Sequence, residues 1–263
     1  MTPETAERGL LIEERRRRIR DLLRDHGRVT VDALASRFGT SQVTIRADLS
    51  ALATVGALTR THGGAVPSAE ETDPPLGVKK LRHHAEKVRI ANAALALIRD
   101  GETIILDSGT TTAEIARGLK RLPLNSINVI TNALNIAALL LEVPSVRLIV
   151  PGGILRRESN SLSGPMAESA LDSLQADRVY LGADAIDPEI GVMTPHLAEA
   201  ELNAKMIRIS QQVVVVADSS KLQRRNISLI AKVQQLHMLI TDRGAPAEAV
   251  EDLRARGVEV RLV

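Results

Sequence analysis

The feature that most constrains the fold is a regular alternation of short apolar runs with amphipathic stretches from about residue 81 to residue 263. Val88, Ala91, Leu95 and Ile98 have the spacing of one helix face, and an apolar run follows them. Strands that alternate with helices in this way form a parallel sheet covered on both faces. The sequence therefore predicts a mainly parallel α/β domain with strands at 103–106, 129–130, 146–150, 178–181, 213–217, 238–241 and 258–262.

Polar or glycine-rich turns follow several of these predicted strands, at 107–112, 131–132, 151–153, 182–184 and 217–221. The carboxyl ends of parallel strands meet at one edge of the sheet, where ligands bind, so these turns are expected to line one crevice. Asp107, Asn132 and Asp184 are candidates for hydrogen bonds to sugar hydroxyls, and Lys221 is a candidate for pairing with a phosphate. Each residue alone is as often a cap as a ligand contact, so the prediction depends on the whole set.

The first of these turns consists of Asp107, Ser108, Gly109, Thr110, Thr111 and Thr112, directly before a helical run. Glycine lets the backbone approach a ligand, the first amides and the threonine hydroxyls can donate hydrogen bonds, and a helix N-terminus favours negative charge. An ordinary capped turn has the same pattern, and neither GxxxxGK[ST] nor GxGxxG is present. Taken alone, the segment leaves a phosphate cradle and a capped turn both open.

Residues 1–66 have a different pattern, which predicts three short helices and a β-hairpin. Gly27 ends the first helix, Thr30 caps the second and Ser41 caps the third. Two helices joined by a tight glycine turn form a helix-turn-helix, whose second helix enters the major groove. Strand-forming residues and a glycine pair at 57–66 predict a two-stranded wing. The candidate contacts are Ser41, Gln42, Val43, Thr44 and Arg46 on the third helix and Arg60 and His62 on the wing.

Positive charge is concentrated in the N-terminal part of the chain. Residues 1–66 hold 11 arginines, no lysine and 8 acidic residues, which gives +3, whereas the rest of the chain carries −1. Five of these arginines lie between Arg15 and Arg20, where they contact phosphates or solvate a helix; considered alone, the solvated helix is favoured. One Phe, one Tyr and no Trp exclude an aromatic platform for single strands, so duplex DNA remains. The absence of cysteine excludes disulfides, thiolate metal sites and a cysteine nucleophile.

Nearly the whole chain resembles the DeoR-type bacterial transcriptional regulators, which join a winged helix-turn-helix to a sugar-phosphate sensor. The resemblance implies a sensor similar in fold to ribose-5-phosphate isomerase. In the N-terminal part it rests on Arg16 with Ile19 and Leu23 and on residues 29–31, 34–35, 41–49 and 60–65; in the rest it rests on the polar turns and on residues 191–206. The expected domains are a winged helix-turn-helix at 1–66, a linker at 67–80 and a sensor and oligomerisation domain at 81–263.

The resemblance also adds site residues. It implies that Arg16 contacts DNA and that Thr194 and Lys205 contact the effector, while Glu199 is either part of the ligand lid or a solvated helix residue. The family usually has two consecutive arginines in the recognition helix, whereas here Arg46 is followed by Ala47, which makes Arg46 the main cationic contact of that helix. The expected effector contacts are Asp107, Ser108, Gly109, Thr110, Thr111, Thr112, Asn132, Gly152, Gly153, Asp184, Thr194, Lys205 and Lys221.

The expected function is sequence-specific regulation of transcription, by a repressor of a carbohydrate-catabolism operon that a phosphorylated sugar relieves. The expected partners are double-stranded operator DNA, a phosphorylated sugar and further copies of the chain in a dimer or tetramer. No cofactor, metal or membrane association is expected, and the expected location is the cytoplasm, because the sequence has no signal-peptide core and no apolar stretch long enough to span a bilayer.

A sugar-phosphate isomerase is the alternative function. The segments 182–184 and 186–187 resemble the acidic loop of ribose-5-phosphate isomerase. That enzyme's lysine, its glycine-rich run and its general-base glutamate are absent, and residues 191–195 stand in their place. Binding without turnover is therefore expected, with no catalytic residue.

Overall fold

The computed structural model describes residues 10–54, 57–61, 63–66 and 76–263. The chain divides into two compact units, residues 1–74 and 75–263. Within the described ranges, no helix has both the length and the apolar composition that crossing a membrane requires.

The N-terminal unit is a three-helix fold with a small antiparallel sheet. The strand β3 (Gly64–Val66) lies between β1 (Val29–Thr30) and β2 (Thr59–Thr61) and pairs with both in antiparallel register. The predicted helices and two-stranded wing are confirmed, with β1 as an additional strand. Gly64 is required where β3 crosses β1, because a Cβ there would lie 1.9 Å from the carbonyl oxygen of Val29. The elements are α1 (Ile12–His26), β1 (Val29–Thr30), α2 (Val31–Phe38), α3 (Gln42–Thr54), β2 (Thr59–Thr61) and β3 (Gly64–Val66).

Local signals set the helix ends in this unit, and apolar faces hold the helices together. Gly27 adopts φ 69° and donates its N–H to Leu23, which ends α1. The hydroxyl of Thr30 accepts a hydrogen bond from the amide of Ala33 at 3.2 Å and caps α2. The buried core contains Ile19, Leu23, Leu34, Phe38, Ile45 and Leu49.

The C-terminal unit alternates strands and helices, as the sequence predicts. Its helices are α4 (Leu76–Leu81), α5 (His84–Leu95), α6 (Thr110–Leu119), α7 (Leu134–Leu140), α8 (Pro165–Leu171), α9 (Leu197–Arg208) and α10 (Ala247–Ala255). Its strands are β4 (Thr103–Leu106), β5 (Ile127–Thr131), β6 (Val146–Ile149), β7 (Ile154–Arg156), β8 (Ser161–Ser163), β9 (Ala176–Leu181), β10 (Ala185–Asp187), β11 (Gly191–Thr194), β12 (Ser210–Val216), β13 (Ser228–Lys232), β14 (Met238–Thr241) and β15 (Glu259–Leu262).

Seven of these strands form one parallel sheet in the order β15-β14-β12-β9-β4-β5-β6. Alternate residues of each strand enter two different cores: Ile105 and Val179 pack on one face, and Ile104 and Tyr180 pack on the other. The predicted α/β fold class is confirmed. From β4 the chain builds outward to β5 and β6, then returns to the other side of β4 at β9. The order therefore reverses between β4 and β9, which is where doubly wound sheets bind ligands.

Two smaller sheets flank the large one. The strands β10, β11 and β13 form an antiparallel sheet, and β7 and β8 form a hairpin. Of the segment predicted as a linker, 67–75 lie outside the described residues and 76–80 belong to α4. That helix therefore begins inside the stretch whose prolines and acidic residues predict an extended chain.

Candidate functional site

The helix α3 presents one polar face to solvent. Ile45 and Leu49 are buried in the core of the N-terminal unit, whereas Val43 is 73% exposed and Arg46 and Ala47 are exposed beside it. The position that usually carries the second arginine is thus on the outer face, where alanine adds no cation.

Hydrogen bonds arrange the polar side chains at the start of α3. The Ser41 hydroxyl accepts from the amide of Thr44 at 3.1 Å and pairs with the Thr44 hydroxyl at 2.8 Å, so both residues build the helix cap. Gln42 donates to Asp32 at 2.6 Å and accepts from Arg46 at 2.9 Å. Gln42 therefore orients the guanidinium of Arg46 along the exposed face.

The wing brings a second arginine to α3. Arg60 on β2 donates to the hydroxyl of Ser50 at 2.9 Å, and that hydroxyl donates to the carbonyl of Arg46 at 2.8 Å. Both arginines are exposed, so the recognition helix and the wing form one cationic surface that suits the phosphates and base edges of duplex DNA. His62 lies outside the described residues.

Arg16 has a different environment from the other predicted DNA contacts. Asp48 is 2% exposed, and its two carboxylate oxygens accept from Arg15 at 2.6 Å and Arg16 at 3.0 Å. Arg16 also donates to Glu13 at 3.3 Å. These contacts join α1 to the buried side of α3, and they direct Arg16 at Asp48.

Arg46→Ala is expected to weaken operator binding about tenfold or more, since one arginine contact to a base contributes about 1–3 kcal/mol. Ala47→Arg adds a cation to the same face and is expected to strengthen binding to nonspecific duplex and to steepen its salt dependence. Fluorescence anisotropy titrations with a labelled duplex at several salt concentrations measure both effects. Equal affinities for wild type, Arg46→Ala and Ala47→Arg would contradict the assignment of this surface.

In the C-terminal unit, the turns after β4 and β9 meet at the point where the strand order reverses. The carboxylate of Asp107 accepts from the amide of Gly109 at 3.1 Å and from the amide of Gly182 at 2.9 Å. We call the turns 107–112, 182–184 and 218–221 the strand-end site. Burial raises the pKa of Asp107 to about 7, against the lowering effect of the hydrogen bonds from Gly182 and Gly109.

The helix α6 begins inside this site. Its cap is Gly109, and its first backbone hydrogen bond runs from Ala113 to Gly109, so the amides of the first turn point out of the helix end. The Thr112 hydroxyl donates to the carbonyls of Asp107 and Gly109 and so stabilises the turn, and Thr111 is buried. Ser108 and Thr110 are half-buried and keep some solvent exposure. The capped-turn interpretation therefore holds for Thr112, and an anion would contact the amides and Thr110.

Opposite charges converge on Asp184. One carboxylate oxygen accepts from the ammonium of Lys79 at 2.9 Å, and the other accepts from the hydroxyl of Thr194 at 3.1 Å. Burial lowers the pKa of Lys221, while the nearby carboxylates of Asp184 and Asp218 act to raise it. Asp184, Thr194 and Lys221 are thus brought together as the sequence expects, with Lys79 as an addition.

Lys87 is a second residue of this site that the sequence pattern did not predict. It is 4% exposed on α5, and its ammonium donates to the carbonyls of Lys79 and Arg82, each at 2.6 Å. Burial lowers its pKa to about 8, Asp218 acts to raise it, and Lys221 acts to lower it further. Lys87 lies three residues before Ile90, on the buried face of an amphipathic helix. A lysine on such a face is unusual, and this was the sequence signal that could have identified it as a site residue.

Asn132 and the glycine pair lie against the β7–β8 hairpin. Asn132 is 1% exposed and donates to the carbonyl of Leu162 at 3.1 Å, while its own side-chain oxygen is buried without a hydrogen-bond partner among the described residues. Gly153 has φ 117°, and a Cβ there would lie 2.6 Å from the carbonyl of Ser163, so the glycine permits the hairpin to pack closely. Gly152 also has positive φ, at 77°.

Glu199 on α9 connects this hairpin to the strand-end site. Its carboxylate accepts from Ser159 at 2.8 Å, Ser161 at 3.0 Å and Arg156 at 3.2 Å, and its charge acts to raise the pKa of Asp107. The Glu199 side chain is 11% exposed, so it anchors the hairpin rather than lying in solvent.

Lys205 is engaged elsewhere. Its ammonium pairs with Asp172 at the end of α8. Within the described part of the chain, no group of three or more His, Asp or Glu side chains is placed to hold a metal ion.

A winged helix-turn-helix with a cationic recognition surface, joined in one chain to an α/β unit with a polar strand-end site, is the architecture of a DNA-binding transcriptional regulator. Residues 15–71 match the model of the DeoR-like helix-turn-helix domain, and residues 82–243 match the model of the DeoR C terminal sensor domain. The chain belongs to the DeoR family of transcriptional regulators.

Relatives match along nearly their whole length. A protein provisionally named the aga operon transcriptional repressor of Escherichia coli O157:H7 is 42% identical, over 95% of this chain and 93% of its own. The HTH-type transcriptional regulator GlpR of Haloferax volcanii is 36% identical, over 95% and 98%. The HTH-type transcriptional repressor GlcR of Bacillus subtilis is 33% identical, over 94% and 95%.

Among solved structures, ribose 5-phosphate isomerase A of Methanocaldococcus jannaschii is 20% identical, with a TM-score of 0.39 over 53% of this chain and 55% of that chain. This similarity is too distant to inform on function. The relatives named above are regulators and repressors, not enzymes, so the isomerase alternative is not supported. The chain is a DNA-binding transcriptional regulator of the DeoR family.

Proposed function

We propose that the strand-end site binds a phosphorylated sugar and that this binding releases the repressor from its operator. The observation that carries the proposal is that two ammonium groups and a helix N-terminus meet where the strand order reverses. The ammonium groups are those of Lys87, which is buried, and Lys221, which is partly buried; both interact with Asp218, and burial lowers the pKa of each. The first turn of α6 lies in the same site. A desolvated ammonium and a helix N-terminus are both stabilised by an anion, and a phosphate dianion can interact with both.

The neighbouring groups suit the sugar part of such a ligand. Asp184 supplies two acceptor oxygens for sugar hydroxyls, and Asn132, directly after β5, has a side-chain oxygen with no hydrogen-bond partner among the described residues. The amides at the start of α6 and the Thr110 hydroxyl add donors for the phosphate. Lys205 is left out of the proposed site because Asp172 holds its ammonium.

On this proposal the chain represses an operon of carbohydrate catabolism. One winged domain makes a limited interface with DNA, so we propose that two or four copies bind repeated or inverted half-sites. The effector weakens operator binding because it binds the DNA-free conformation more tightly than the DNA-bound one. Arg46 and Arg60 supply the main cationic contacts, while Arg16 positions α3 through Asp48.

A thermal-shift screen tests the effector assignment. The panel contains hexose 6-phosphates, hexosamine 6-phosphates, ketose 1-phosphates and polyol phosphates, with the unphosphorylated sugars and inorganic phosphate as controls. One sugar phosphate is expected to raise the melting temperature by about 5 °C at saturating concentration. An extrinsic dye reports the transition, since the chain has no Trp. No shift with any phosphorylated sugar, alongside intact operator binding, would contradict the proposed effector class.

A further inference from the structure

The short helix α4 (Leu76–Leu81) is where the C-terminal unit begins, directly after the boundary at residue 74. Hydrogen bonds between described residues fasten it to the rest of that unit. The Leu76 amide donates to the carbonyl of Glu158 at 3.0 Å, the Lys79 ammonium donates to Asp184 at 2.9 Å, and the Lys87 ammonium donates to the Lys79 carbonyl at 2.6 Å. Lys87 also binds the Arg82 carbonyl, just beyond the helix end, at 2.6 Å.

These contacts use groups that an anionic sugar ligand also needs. Asp184 is the acceptor of the strand-end site for sugar hydroxyls, and Lys87 belongs to its cationic group. A carboxylate oxygen that receives a hydroxyl has less capacity for the Lys79 ammonium. Likewise, an ammonium that turns toward a phosphate gives up backbone carbonyls, because ionised acceptors form the stronger hydrogen bonds.

We propose that α4 is a latch and that Lys79 is the residue that couples effector binding to it. Without effector, the Lys79–Asp184 ion pair holds α4 against the strand-end site. An effector takes Asp184 and Lys87, and α4 is released. This inference rests on the proposed function, since it assumes that the strand-end site is where the effector binds.

The Lys79–Asp184 ion pair is exposed enough for a ligand to replace it. The side chains of Lys79 and Asp184 are 22% and 24% exposed, so the pair is partly hydrated and a ligand can displace it. Because α4 is the first described helix of the C-terminal unit, we take its release as the step that links the strand-end site to operator binding. On this proposal the latched state is the one that binds the operator, so a change that favours the latched state strengthens operator binding and weakens effector binding.

Hydrogen–deuterium exchange of the full-length protein tests the latch without any ligand. Lys79→Met keeps the aliphatic stem and removes the ammonium, so the amides of 76–81 are expected to exchange faster than in wild type, by about fivefold. Lys80→Met is the matched control, because Lys80 is the next residue of the same helix and its side chain is exposed. Unchanged exchange at 76–81 in Lys79→Met would overturn the latch, whatever the effector is.

The same measurement with ligand separates the latch from the proposed function. Glucose 6-phosphate, galactosamine 6-phosphate and fructose 1-phosphate serve as probes, with inorganic phosphate as the anion control. A probe that binds is expected to protect amides of 107–113 and to speed exchange at 76–81. Protection at 107–113 with unchanged or slower exchange at 76–81 would sink the latch and leave the effector site standing. No protection at 107–113 with any phosphorylated sugar would count against the effector site itself.

Affinities give a second readout. Without Lys79 the effector no longer competes for Asp184, so Lys79→Met is expected to bind the active probe more tightly and the operator more weakly, and the two fold-changes are expected to multiply to about five. Lys80→Met is expected to match wild type in both titrations. Weaker probe binding by Lys79→Met would show that Lys79 is an ordinary ligand contact, which contradicts the competition.

Discussion

Asp48→Asn is expected to lower the free energy of unfolding of the N-terminal unit by about 2–3 kcal/mol and to abolish tight operator binding at physiological temperature. The carboxylate is 2% exposed and accepts from both Arg15 and Arg16. Asparagine has nearly the same volume as aspartate but carries no charge. The guanidinium groups of Arg15 and Arg16 would therefore lose their ionic partner next to the core. The expected loss is below that of a fully buried pair, because the Arg16 side chain is 28% exposed.

The chain offers a clean readout for this variant. Its single tyrosine, Tyr180, is fully buried in the C-terminal unit, so tyrosine fluorescence reports that unit alone, whereas far-UV circular dichroism reports both. In urea, the dichroism transition is expected to shift while the fluorescence transition stays in place. Glu13→Ala is the control, because Glu13 also pairs with Arg16 but its side chain is 87% exposed. An Asp48→Asn protein as stable as Glu13→Ala would show that the ion pairs do not hold α3.

Lys221→Met is expected to weaken binding of the phosphorylated effector by about 10- to 100-fold and so to leave the operator occupied at effector concentrations that release the wild type. Burial has already lowered the pKa of Lys221, so its ammonium is poorly hydrated and gains much from a phosphate. Methionine keeps the stem and removes the charge. Asp184 keeps Lys79 and Thr194 as partners, so the unit is expected to fold.

Isothermal titration with the effector, followed by an operator-release titration, measures this variant. Lys120→Met is the control, since Lys120 follows the far end of α6, about 15 Å along the helix from Gly109. Operator affinity without effector is expected to be unchanged in both variants. An effector affinity in Lys221→Met equal to that of Lys120→Met would remove Lys221 from the site.

The elements of the fold were predictable because their signals are local. The N-terminal helices are indicated by the spacing of apolar residues, by the cap at Thr30 and by the glycines at 27 and 39. These signals are local and do not depend on tertiary contacts. In the C-terminal unit, short runs of apolar residues identify the parallel strands. The sequence placed one strand at 213–217, whereas β12 begins at Ser210, because its first three residues are polar and lie at the less buried end of the strand. The extension is set by pairing with β9, where Ser210 lies opposite Ala176 and Gln212 opposite Arg178, and the sequence pattern does not show that pairing.

The partners of the charged side chains were not predictable. Lys79 meets Asp184 across 105 residues of sequence, and Arg16 meets Asp48 across 32. The sequence pattern places Lys79 in a linker and Arg16 on the cationic face of a helix. It does not indicate which carboxylate will lie next to either side chain. The same limit applies to Lys205, which the family resemblance assigns to the effector and the structure pairs with Asp172.

The strand-end site was predictable as a place but only partly as a set of contacts. Parallel topology brings the turns after β4 and β9 together, so Asp107 and Gly182 meet as expected. Rotation about one side-chain bond decides whether a threonine hydroxyl points to a ligand or to the neighbouring backbone. The Thr112 hydroxyl turns to the carbonyls of Asp107 and Gly109, which sequence spacing cannot show.

The most direct test of the central claim is an anisotropy titration of the full-length protein on a duplex that it selects from a random pool, with and without the sugar phosphate that stabilises it most. The account predicts that this sugar phosphate raises the operator Kd at least about tenfold, and that the unphosphorylated sugar does not. An operator Kd that is unchanged while the sugar phosphate is bound would contradict it.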